Sequence, residues 1–111
     1  MAATHHGKAQ LGRPELERWL CGDQSPPTAA EVATLLGNGE PRPSQEQSIR
    51  FVLAVLRDIY EDDATVWRWL SEPHCDLGDA PPADLIRADR AAPLEMLVVA
   101  KWNETVADAS L

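Results

Sequence analysis

Apolar residues recur at helical spacing along this chain, and proline, glycine and capping residues separate the recurrences. Leu16, Trp19 and Leu20 fall at i, i+3 and i+4 behind Pro14, Glu15 and Glu17, which suit a helix start by fixed φ and by charge. Gly22 stops that stripe, and Ser25-Pro26-Pro27 reads as a linker. Thr28-Ala29-Ala30-Glu31 has the form of a capping box, followed by Val32, Leu35 and Leu36 and stopped by Gly37. After the turn-rich run Asn38 to Pro43, Ser44-Gln45-Glu46-Gln47 reads as a second capping box. The longest helix then runs through about Tyr60. Ile49, Val52, Leu53, Leu56, Ile59 and Tyr60 form its stripe, and Phe51 and Val55 widen it. A stripe that wide predicts a central helix contacted on more than one side.

Asp62 or Asp63 caps the next helix, which carries Val66, Trp67, Trp69 and Leu70 and is stopped by Pro73. A loop from His74 to Ala80 leads to Pro81-Pro82 and a short helix through about Ala88. Pro93 opens the last helix, with Leu94, Leu97, Val98, Lys101, Trp102 and Thr105 on one face. The small tail after Val106 is expected to fray. Leu97-Val98-Val99 is partly β-branched but lies inside a 3.6-residue pattern. The expected fold is all-α: a small bundle of about six helices, with a long central helix followed by a three-helix C-terminal unit. Residues 1–12 are polar and aperiodic and read as a disordered arm. Residues 13–43 read as a short helical pair, and residues 44–111 as the main unit.

Composition narrows the function classes. A chain of 111 residues makes one small domain and buries only about two-thirds of its unfolded surface. The net charge is −8, and it is uneven: five basic and six acidic residues stand up to Arg50, five and twelve after it. The second half therefore repels phosphate backbones and favours a basic partner or cleft. Two cysteines, Cys21 and Cys75, make no disulfide scaffold. The polar start, with His5-His6, does not read as a signal peptide, and no apolar run approaches a membrane span. A cytoplasmic protein is the expectation. His74-Cys75 and Cys21 lack zinc-ligand spacing. No paired carboxylates, Gly-rich phosphate loop or Ser/His/Asp set stands out, so no enzyme, metal or cofactor is expected. Trp67 and Trp69 lie about 200° apart around a helix and cannot share a face.

The ordered run Arg68-Trp69-Leu70-Ser71-Glu72-Pro73, then Leu77-Gly78, then Pro82-Ala83-Asp84-Leu85-Ile86, resembles the toxin-binding domain of Xre/MbcA/ParS-type antitoxins. The likeness extends from about Ser44 to the C-terminus. His74 stands where the family often has Asn, and Asp79 where it often has a second Gly.

The resemblance implies an antitoxin that binds and occludes the active site of a RES-domain, NAD-degrading toxin. Its terminal helix and tail would lie over the toxin cleft. That assigns partner contacts to Trp102, Asn103, Val106, Asp108 and Leu111, and Trp67 and Arg68 join them as candidates beside a core Trp69. A homo-oligomer is expected. Residues 13–43 resemble the remnant of a Cro-repressor-like helix-turn-helix. The candidate recognition helix, Thr28 to Leu36, offers Thr28, Glu31 and Thr34 but no Arg or Lys, so DNA binding is not favoured. The alternatives are a small DNA-binding regulator, which needs Arg13, Arg18, Arg42 and Arg50 to converge, and a helical interaction module without a toxin.

Overall fold

The computed structural model describes residues 12–22, 26–37 and 40–109, with side chains through Val106. The predicted arm over residues 1–12 lies, except for Gly12, outside the described residues. Among the described residues six α-helices follow in chain order, and no strand longer than a single bridge occurs. They are α1 (Arg13–Leu16), α2 (Ala29–Leu36), α3 (Pro43–Ile59), α4 (Asp63–Ser71), α5 (Pro82–Arg87) and α6 (Ala92–Ala109). The fold is the expected small all-α bundle.

Local chemistry sets most of the boundaries. Thr28 caps α2: its Oγ1 accepts from the Glu31 amide at 3.1 Å, and Glu31 Oε1 accepts from the Thr28 amide at 3.0 Å. Asp62 caps α4, accepting from Thr65 Oγ1 at 3.0 Å and from the Ala64 amide at 3.4 Å. Glu72 precedes Pro73 and adopts extended backbone, φ −93° and ψ 142°, which ends α4 at Ser71.

The long helix starts two residues earlier than expected, with only one half of a capping box. Pro43 occupies the first helical position of α3, and Gln45 Oε1 accepts from the Arg42 amide at 2.8 Å. The Ser44 hydroxyl is drawn away to Asp89, donating toward its carboxylate oxygens at 3.0 and 3.2 Å.

The first helix also differs from expectation. After Leu16 the chain widens into a π-helical turn, Glu17–Cys21. An i→i+5 turn places Leu20 and Cys21, rather than Trp19, beneath Leu16. Leu16 and Leu20 are buried, whereas Trp19 is 53% exposed. Another difference is at the end of α6. The helix continues past Val106 to Ala109.

The core is built around α3. Ile49 and every residue from Phe51 to Leu56 are buried, as a helix touched on several sides requires. It packs most extensively on α6 and also meets the π turn, α4, α5 and α2. Leu16, Leu20 and Leu35 from the helical pair join the same cluster as Val66, Trp69, Ile86, Leu94 and Val98. Leu85 and Leu97 pack against it partly buried.

No helix among the described residues is long and apolar enough to cross a membrane.

Candidate functional site

The segment from Trp67 to Ile86 folds as a closed unit. Val66, Trp69 and Leu70 are buried on the inner face of α4, which leaves Arg68 exposed and Trp67 half-buried. Trp67 Nε1 donates to Asp63 Oδ2 at 2.9 Å. Asp63 also accepts from Arg57 Nε at 3.0 Å, and the same guanidinium donates to Glu31. Trp67 thus ends a polar chain that links α2, α3 and α4. Hydrogen bonding to Arg57 holds the carboxyl of Glu31 below its usual range, with the Thr28 amide adding to the effect. The same donor lowers that of Asp63.

Beyond Pro73 the chain turns back on itself. The His74 amide donates to Ala80 O at 3.3 Å, and His74 O accepts from the amides of Leu77 and Asp79, each at 2.9 Å. A 3-10 turn, Cys75–Leu77, fills the loop, and Gly78 follows in the left-handed region at φ 70°. Asp79 shares that region at φ 63°. His74 fastens the loop to the end of α4. Its Nε2 lies 3.0 Å from Trp69 O, and its ring stacks at 35° on Trp69 with centroids 4.5 Å apart. Because a carbonyl only accepts, Nε2 carries the proton in this contact. His74, where the resembled family often has Asn, is therefore a structural turn residue here. Cys75 is exposed, Cys21 is buried, and no cluster of three metal-ligating side chains occurs among the described residues.

The expected partner contacts on α6 divide. Trp102 is not available as one: it is 2% exposed, and its Nε1 donates to Asp58 Oδ2 at 2.7 Å. The apolar face of α6 turns it into the core against α3, where its indole N–H needs and finds an acceptor. Asn103 is half-buried and donates from Nδ2 to Val99 O at 3.0 Å. Val106 packs partly buried against the core. The side chains of Asp108 and Leu111 lie outside the described residues. Trp67 and Arg68 on α4 and Asn103 and Val106 on α6 therefore belong to separate helices, and the 3-10 turn of the loop is what meets α6.

Of the four arginines a DNA-binding reading requires, three are engaged within the bundle. Arg13 donates from Nε to Glu95 Oε1 at 2.6 Å and stands 4.7 Å over the Phe51 ring. Arg42 pairs with Asp89 at 3.4 Å, Arg50 donates to Cys21 O at 2.9 Å, and Arg18 is exposed.

Periodicity did not reveal two residues of interest. Trp19 stands edge-on to Trp102, centroids 5.7 Å apart and planes at 86°, and Asp58 holds the Trp102 indole from the other helix. No local signal marks the π turn that exposes Trp19.

No protein-family model, curated protein or solved structure matches this chain.

Proposed function

We propose that this chain is an antitoxin-type binding protein that covers the active site of a RES-domain, NAD-degrading toxin. The observation that carries the reading is the closed unit from Trp67 to Ile86. A proline stop, a His74–Ala80 closure and a left-handed Gly78 join α4 to α5 in the order on which the resemblance rests. Its inner residues hold the core, while Arg68 and part of Trp67 face outward. On the other arm of the surface, α6 carries Asn103, Val106 and the acidic Glu104 past the point where Trp102 ties it to α3.

The electrostatics suit such a role. A cleft that holds a dinucleotide offers positive groups to the pyrophosphate, and a chain of net charge −8 is drawn toward it. Trp102 then serves as a brace, fixing the direction of α6 without touching the partner. The contacts fall to Trp67, Arg68, Asn103, Val106, Asp108 and Leu111.

The test is a truncation. Val106 packs on the core, so a chain ending at Val106 keeps its helical signal and its thermal midpoint to within a few degrees. The same chain loses inhibition of NAD hydrolysis by the toxin. Full inhibition by the truncated chain removes the tail from the mechanism. Stable association with the product of a neighbouring gene that has no NAD-degrading activity favours an interaction module without a toxin.

A further inference from the structure

Trp19 is 53% exposed yet held in place, because its ring is braced at 86° against the Trp102 ring. Trp102 is 2% exposed and donates its indole N–H to Asp58 Oδ2 at 2.7 Å. Asp58 itself is exposed near the C-terminal end of α3. One buried ring therefore fixes both an open indole and an open carboxylate. Among the described residues no lysine or arginine pairs with Asp58, and the one cation placed over a ring is Arg13 over Phe51.

We propose that Trp19 and Asp58, both positioned by Trp102, form an anchor site for an arginine side chain of a protein partner. An indole is the best aromatic surface for a cation, and a guanidinium stacks on it through its planar face. Asp58 Oδ2 is engaged by the Trp102 indole, which leaves Oδ1 to accept from the guanidinium fork. Arginine fits better than lysine because it is planar and more weakly hydrated. A guanidinium carried on a partner surface gains from its neighbours' contacts as well. The net charge of −8 favours a basic partner. The π-helical turn that brings Trp19 outward is a device found often at functional sites. This inference deepens the antitoxin reading by naming the chemistry of one partner contact, and it rests on that reading only for the partner's identity.

The experiment uses the full chain and a short neutral-ended peptide holding two arginines between glycines. An otherwise identical peptide with citrulline, which keeps the shape and loses the charge, is the comparison. The indole N–H signals of the four tryptophans are followed by nuclear magnetic resonance. The arginine peptide is expected to shift the Trp19 and Trp102 signals saturably and ahead of Trp67, and the citrulline peptide to leave them unmoved. Trp19→Leu, which keeps apolar bulk, and Asp58→Asn, which keeps an acceptor for Trp102, each weaken binding by about two- to fivefold. Equal movement of all indoles, no movement, or binding unchanged in both variants overturns the proposal. Because no toxin is present, failure here leaves the antitoxin reading untouched. Conversely, a chain that binds the peptide but inhibits no toxin retains this site and loses that reading.

Discussion

Trp102 buries its ring on the inner face of α6 and donates its indole N–H across 2.7 Å to Asp58 on α3. The pair fastens together the two helices that share the largest contact in the bundle. Replacing Trp102 with Phe removes both the hydrogen bond and part of the buried volume. The expected loss is about 1–3 kcal/mol in urea unfolding. Asp58→Asn retains an acceptor and is expected to cost no more than about 0.5 kcal/mol. A larger loss for Asp58→Asn than for Trp102→Phe contradicts this assignment.

The Glu31–Arg57–Asp63 chain predicts a particular response to acid. Both carboxyls titrate below their usual range because Arg57 hydrogen-bonds to their charged forms. A lowered folded-state value means stability that is present above the usual carboxylate range, near about pH 4, and is lost as the pH falls through and below it. Glu31 and Arg57 side chains are 24% and 27% exposed, so solvent screens the pair only in part. Glu31→Gln is expected to cost about 1 kcal/mol at pH 7. As the pH falls through and below the usual carboxylate range, its unfolding midpoint moves toward that of the unchanged protein. A constant difference between the two across that range rules the network out as a source of acid sensitivity.

Gly37 and Gly78 both have positive φ, yet they make different demands. Gly78 sits at φ 70° and ψ 32°, the left-handed helical region, where other residues are strained but tolerated. Gly37 sits at φ 76° and ψ −128°, which residues with a side chain essentially avoid. Neither would bring a new Cβ within 4 Å of another atom, so backbone strain alone separates them. Gly78→Ala is expected to cost about 1 kcal/mol and Gly37→Ala about 2–3 kcal/mol by thermal unfolding. The reverse order would show that the α2 terminus does not hold this conformation in solution.

The two thiols are expected to react on different timescales. Cys75 is exposed on the 3-10 turn, whereas Cys21 is buried beside the backbone of Arg50. Burial raises the Cys21 thiol above its usual value and lowers the fraction of reactive thiolate. A disulfide reagent should consume one equivalent quickly and the second only as the protein opens. Cys75→Ser removes the fast phase, and two equal fast phases would show that the π turn does not shield Cys21.

Where local chemistry decides, the sequence was readable. Thr28 and Glu31 bond within one turn, Asp62 caps the helix it precedes, and Pro73 acts on the residue before it. Where a distant residue decides, it was not. Ser44 looks like a cap in isolation, but Asp89, 45 positions away, takes its hydroxyl. Trp102 had the spacing of a core residue and the place of a partner contact. Its partner 44 positions away, Asp58, goes with the first of these. Trp19 kept helical spacing on paper, and a π turn with no local signature turned it outward. The apolar stripe of α3 was legible because its burial from Phe51 to Leu56 is written in consecutive side chains.

The most direct measurement adds the purified full chain to a RES-domain toxin, the proposed partner, and follows the initial rate of NAD hydrolysis. The account predicts a stoichiometric, saturable loss of activity together with a stable complex on gel filtration. It also predicts that the loss disappears when the chain ends at Val106. Undiminished NAD hydrolysis at excess chain, with no complex formed, would contradict it.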